Sequence, residues 1–194
     1  MKNLILIAFL FVTICCKAQT TKPIEGFLGI KFGSSSAQVI DALKAKGATL
    51  NAGQTPQSIG FSNVSLGTRK ARTFFAHFVN DQAYEAVFVF APDMEAKAIE
   101  YFNSLVNDIN EVYGKSNASK KFKPPYEDGD GYEVTAIKTG NAEYRTEWKD
   151  GENYIVAAIK PNPSGELCVR LYYVNGKLGK VYEDQQKAKN KSEF

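Results

Sequence analysis

Apolar and polar positions change their spacing several times along the chain, and the changes divide it into segments. Met1 to Ala18 is almost continuously apolar. Lys2 supplies a charged start, Leu4 to Cys16 form a run broken only by Thr13, and Cys16-Lys17-Ala18 places small residues where a signal peptidase cuts. The run is too short to cross a bilayer, which takes roughly 20 apolar residues. It predicts a cleaved export signal over 1–18, a chain that starts near Gln19, and a periplasmic or secreted location.

Gly26 to Phe32 carries Phe27, Leu28, Ile30 and Phe32 and reads as a short strand or an extended lead-in. Ser35 and Gln38 have the spacing of a capping box, Val39, Ile40 and Leu43 recur at helical period, and Gly47 suits a left-handed C-terminal position. They predict a helix from Ser36 to Lys46. The period then falls to two over Ile59 to Leu66, Ala71 to Val79 and Tyr84 to Phe90, with Gly67-Thr68 and Asn80-Asp81-Gln82 as hairpin turns. Phe74, Ala76 and Phe78 fall on one face of the middle strand and Phe75, His77 and Val79 on the other, so this strand is expected inside the sheet.

Helical period returns after Pro92. Asp93 is the expected N-cap, Ala98, Ile99, Phe102, Leu105, Val106, Ile109, Val112 and Tyr113 make a wide apolar stripe, and Gly114 ends it. A meander is then predicted over Tyr132 to Lys138, Ala142 to Lys149, Tyr154 to Lys160 and Glu166 to Val174, followed by an Asn175-Gly176 turn and a short edge strand at Leu178 to Tyr182. Ala142, Tyr144, Thr146 and Trp148 alternate with charged residues, as in an antiparallel sheet covered on one face. The fold class is α+β: two helix-plus-antiparallel-sheet units in tandem, α-βββ-α-ββββ, as one domain or two fused halves. The units fall at 19–91 and 92–182, with a frayed polar tail at 183–194.

Charge narrows the partners. Removal of 1–18 takes two of the 24 Lys and Arg and none of the 21 Asp and Glu, so the formal charge falls from +3 to +1. Such balance gives no bulk attraction to nucleic acid or anionic membrane. No later apolar run reaches spanning length. The same removal leaves Cys168 as the remaining cysteine of three, so no intrachain disulfide is expected. A lipid anchor at Cys15 or Cys16 is disfavoured, because Ile14 and Cys15 stand where a small residue is wanted before the modified cysteine.

Candidate chemistry is sparse. His77 is the single histidine, which excludes a histidine-pair metal site and routes any catalytic triad through a mid-strand position. Cys168 reads as a small buried filler. Asp128-Gly129-Asp130-Gly131 lacks the third ligand position and closing glutamate of a calcium loop and reads as a turn. There is no P-loop and no dinucleotide fingerprint. No cofactor or metal is called for.

The segment from Lys115 to Gly131 is long for a connection and sets Lys120, Lys121 and Lys123 beside Phe122, Pro124, Pro125 and Tyr126. Lys121, Phe122, Lys123 and Tyr126 are the predicted binding residues, because aromatics stiffened by prolines present apolar area at low entropic cost. On this reading, Phe122→Ala with Tyr126→Ala abolishes partner binding without lowering the melting temperature.

Phe32-Gly33-Ser34-Ser35-Ser36-Ala37-Gln38-Val39-Ile40-Asp41-Ala42-Leu43 resembles the helix-start motif of small envelope lipoproteins of the SmpA/OmlA type, and a helix-plus-sheet unit used twice is similar to the plan of the β-lactamase-inhibitory protein. Both resemblances imply a non-catalytic protein whose sheet or loops bind another protein. The functional expectation is an exported, non-enzymatic protein that contacts another envelope or secreted protein. The alternative is a small-ligand module whose aromatics line a cleft between helix and sheet, and a carboxylate-pair hydrolase is the third class.

Overall fold

The computed structural model describes residues 22–192. The export signal expected over 1–18, with Cys15 and Cys16, lies outside the described residues. A small hairpin, β1 (Gly26–Phe27) and β2 (Ile30–Lys31), precedes α1 (Ser36–Ala45), β3 (Thr49–Leu50) and β4 (Ser58–Ser62). A second small hairpin, β5 (Ser65–Leu66) and β6 (Arg69–Lys70), leads to β7 (Thr73–Val79) and β8 (Gln82–Phe90). Beyond a 3-10 turn at Glu95–Lys97 come α2 (Ala98–Tyr113), β9 (Asn117–Phe122), α3 (Glu133–Lys138), β10 (Ala142–Asp150), β11 (Asn153–Pro161), β12 (Leu167–Asn175) and α4 (Gly176–Ser192).

Among the described residues, eight strands form one antiparallel sheet in the order β3-β4-β7-β8-β12-β11-β10-β9. The protein is thus α+β. Strands from both sides of the 91/92 boundary share this sheet, which continues across it through the β8–β12 pair. The strand expected inside the sheet, β7, is flanked by β4 and β8.

The capping box at α1 is present: Ser35 Oγ accepts from the Gln38 amide at 3.3 Å and Gln38 Oε1 accepts from the Ser35 amide at 2.9 Å. Asp81, in the Asn80-Asp81 turn between β7 and β8, accepts from the Ser36 amide at 2.9 Å and so supplies an anion at the same helix start. Val39 and Leu43 of α1, Phe102, Leu105 and Ile109 of α2, and Ile137 of α3 are buried in one core with Phe61, Phe74, Phe88, Val169, Leu171, Ile155, Tyr144 and Trp148 of the sheet. Burial of each such side chain contributes about 1.5–3 kcal/mol. Cys168 is a buried free thiol, as the sequence predicts.

Four expected elements differ. Asp93 does not cap α2; the 3-10 turn intervenes, and Glu95 accepts from the Leu167 amide at 3.1 Å and pairs with Lys138 at 2.8 Å, both distant in sequence. The 115–131 segment is not one loop, because Asn117–Phe122 is the edge strand β9 paired to β10. The strand expected at Tyr132 to Lys138 is instead α3, which turns Ala136 and Ile137 into the core against β10 and β11. The edge strand at Leu178 to Tyr182 and the frayed tail are replaced through Ser192 by α4, whose first turn is capped by Asn175 Oδ1 accepting from the Leu178 amide at 2.8 Å.

Candidate interaction face

Among the described residues three helices cover one face of the sheet, and the opposite face is covered only where α4 crosses the end near Tyr84 and Val174. There the Tyr84 and Tyr182 rings stack at 5.1 Å, and Gly179 allows the helix to approach Tyr84 and Val174. A bulge sets this end. His77 pairs with Glu85 and Phe78 with Ala83, so Tyr84 is an extra residue and shares the open face with Glu85.

Strand register arranges the uncovered part in three rows running from β7 through β8, β12 and β11 to β10. One reads Phe75, Val87, Tyr172, Val156 and Glu147, and a second reads His77, Glu85, Val174, Tyr154 and Lys149. The third is Thr73, Val89, Arg170, Ala158 and Arg145. Small residues are buried without a helix above them, Val156 and Ala158 each at 3% exposure, because long neighbours lean over them. Tyr154, Tyr172, Arg145 and Lys160 wall a depression of about 250 Å³ floored by Val156 and Ala158. The Phe75 ring lies against Gly60, where a Cβ would come within 3.3 Å of it, and stacks on His77 at 6.3 Å. Arg170 contributes a buried Nε without a hydrogen-bond partner among the described residues, and its Nη2 donates to the Pro161 carbonyl at 3.4 Å. Glu147 lies between Arg145 and Lys149 at 3.7 and 3.6 Å.

Burial raises the Tyr84 and Tyr154 phenols here and perturbs two groups that titrate nearer neutral pH. It holds the Glu85 carboxyl above the ordinary carboxylate range and His77 below the ordinary imidazole range, a backbone hydrogen bond to Gln57 offsetting part of the latter; their side chains are 3.8 Å apart. A raised folded pKa stabilises the fold while the group is protonated, and that contribution is lost as pH rises through the folded value. Glu85→Gln should therefore raise the melting temperature at pH 8, with the gain shrinking toward pH 4 where the wild-type carboxyl is protonated. His77 acts oppositely, costing stability as pH falls below about 6.5. Melting curves of both proteins at the two pH values check this, and an equal gain at both would assign the effect to shape rather than charge.

The structure separates the four predicted binding residues. Lys121 lies on the open face at its β9 edge, opposite Glu143 in register. Phe122 is on the helix side, half-buried, its ring edge-on to Tyr144 at 6.0 Å. Lys123 donates through Nζ to the Gly140 carbonyl at 3.2 Å, and Tyr126 is half-buried in the turn that follows. Phe122 is thus a packing residue as well as a binding candidate, which removes the expectation that its truncation leaves stability unchanged. The Asp128 to Gly131 run is a turn: Asp130 accepts from the Glu127 and Tyr132 amides at 2.9 and 2.7 Å, and Glu133 from the Gly129 amide at 2.9 Å. Sequence reasoning missed the cluster of Tyr154, Tyr172 and Arg170. Its signal was the period-two spacing within the predicted β10-β11-β12 meander, but that β8 adjoins β12 is fixed only by long-range pairing.

Comparison with known protein families, with curated proteins and with solved structures finds no match to this chain. Among the described residues no helix is long and apolar enough to cross a membrane.

Proposed function

We propose that this is an exported, non-enzymatic protein that binds another envelope or secreted protein on the uncovered part of its sheet. The observation that carries the reading is the row structure of that face: tyrosines and arginines stand over buried valine and alanine, beside a depression an apolar side chain can enter. Tyr and Arg are enriched where protein interfaces concentrate their binding energy, and rigid strands hold them at low entropic cost. We further read the chain as two helix-plus-meander units whose last strands, β8 and β12, meet antiparallel. That reading accords with the resemblance of the 32–43 segment to small envelope lipoproteins and of the helix-plus-sheet plan to the β-lactamase-inhibitory protein, whose sheet or loops bind another protein. In it Lys121 belongs to the rim of the face.

The test is cross-linked capture from an envelope fraction by the tagged protein, with Tyr154→Ala/Tyr172→Ala run beside it. Loss of two central tyrosines should weaken a partner by about 2 kcal/mol, roughly 30-fold, and capture is compared at equal amounts of folded protein because the same tyrosines shield Val156 and Ala158. A partner kept by this variant but lost with Phe122→Ala/Tyr126→Ala would move the interface to the 115–131 segment. A partner kept by both would remove both surfaces.

A further inference from the structure

A second concavity lies on the other side of the molecule and is independent of the protein-binding reading. It is a cleft of about 650 Å³ between α2, the β1–β2 turn and the β5–β6 hairpin, within the range of sites for small organic ligands. Its walls are apolar: Leu105, Ile109 and Val112 come from α2 and Leu66 from the hairpin. Tyr113 and Tyr173, whose rings meet edge-on at 6.3 Å, close it toward the sheet. Its charged residues are mostly of one sign. Lys22, Lys46 and Arg69 line it against one acid, Asp108, and Arg69 already holds that acid at 2.6 Å. Among the described residues Lys22 and Lys46 enter none of the ion pairs. The cleft therefore presents an apolar wall and two uncommitted cations.

The mouth supplies a separate observation. Leu28 and Gly29 form the turn between β1 and β2, and both have left-handed backbone, with φ of 50° and 79°. Such a two-residue turn favours Asn-Gly, and leucine with positive φ is strained. The strain sets a half-buried apolar side chain at the cleft, where asparagine would relieve the backbone and remove the apolar contact.

We propose that this cleft binds a long-chain carboxylate, its alkyl chain along Leu105, Ile109, Val112 and Leu66 under Leu28, and its head between Lys22 and Lys46. Isothermal titration with laurate, below its micelle concentration, tests this on the whole protein against dodecyltrimethylammonium, which has the same tail and the opposite charge, and against acetate, which has the head alone. Saturable binding of one laurate per chain is expected, with neither control binding comparably. Lys22→Glu/Lys46→Glu should weaken laurate by about tenfold, the order expected when charge facing a partly desolvated anion is reversed. Leu28→Asn should weaken it while leaving the melting temperature unchanged or higher, which loss of a purely structural contact would not do. Binding of the ammonium amphiphile as tight as laurate, no laurate binding, or unchanged laurate affinity in the double lysine variant would overturn the proposal. The lysine variant decides the matter even where Leu28→Asn alters folding, because Lys22 and Lys46 are exposed.

Discussion

Phe74→Ala is expected to lower the unfolding free energy by about 3–5 kcal/mol, the range for deletion of a buried phenylalanine that leaves a cavity. The ring is fully buried in β7 and meets Phe88 edge-on at 4.8 Å, Phe27 at 5.8 Å and Phe61 at 6.2 Å. Those three neighbours come from β8, β1 and β4, so the ring joins the first hairpin to the main sheet beneath α1. Little can collapse into the space, because Phe88 also stacks on Phe90 and sits edge-on to Tyr173. Typical domains are stable by roughly 5–15 kcal/mol, so the loss is a large share of the total. For a chain of this size it corresponds to a fall in melting temperature of about 6–20 °C. Urea unfolding of the two proteins measures it directly. A change under about 1 kcal/mol would mean that the first hairpin repacks on its own, contrary to the close packing of this aromatic group.

Signals that act over a few residues were legible in the sequence. The Ser35–Gln38 box, the apolar stripe of α2, its stop at Gly114 and the Asn80-Asp81 turn each depend on neighbours within one turn of chain, and each stands where the spacing puts it. Long-range contact decided the rest. In α3, Val134, Thr135 and Ile137 favour extended backbone, yet a six-residue helix forms because it places Ala136 and Ile137 on the core together. Strand β9 shows no period-two burial, since at the sheet edge both of its faces are largely solvated, and lysine at such an edge guards it against further pairing. Asn175-Gly176 has the composition of a hairpin turn, but asparagine is equally an N-cap, and nothing local distinguishes a returning strand from α4. For the interaction face, which side chains of one strand share a side was readable, as with Phe75 and His77. The β7–β8 hairpin and the β10-β11-β12 meander were readable too, but the β8–β12 pairing was not, and the three rows run unbroken only because β8 meets β12.

The same pairing explains why one sheet carries a covered and an uncovered face. On the helix side, large apolar side chains from every interior strand, aromatic in all but β11, project together and require α1, α2 and α3 above them. On the other side, the rows alternate small buried residues with tyrosine, arginine and glutamate, so long side chains shield the small ones without a helix. Helix α4 covers only the bulged end, where the extra residue Tyr84 gives it an aromatic contact. An uncovered region stable in water and rich in tyrosine is what a partner-binding surface needs, because its side chains are already held in place before contact.

Trp148→Ala should match Phe74→Ala in size by a different route. Trp148 is the single tryptophan and is 3% exposed on the helix side of β10. Its indole N–H donates to Asn110 Oδ1 at 2.9 Å and to the Gly114 carbonyl at 3.0 Å, and Asn110 Oδ1 also accepts from the Ser116 amide at 3.1 Å. One side chain thus ties β10 to the last turn of α2 and to the segment entering β9, satisfying a carbonyl that the helix end leaves unpaired. Alanine removes both the volume and the donor, at a cost of about 3–5 kcal/mol. Phenylalanine restores much of the volume but no donor, and leaving the partly buried Gly114 carbonyl unpaired costs up to about 1–3 kcal/mol. The two variants, compared by urea unfolding, separate packing from hydrogen bonding. Equal losses would assign the stabilisation to the indole N–H, and a negligible loss for phenylalanine would assign it to volume, leaving the end of α2 hydrated. Intermediate loss for phenylalanine is the expected result, because the N–H reaches two acceptors across elements that share no local sequence.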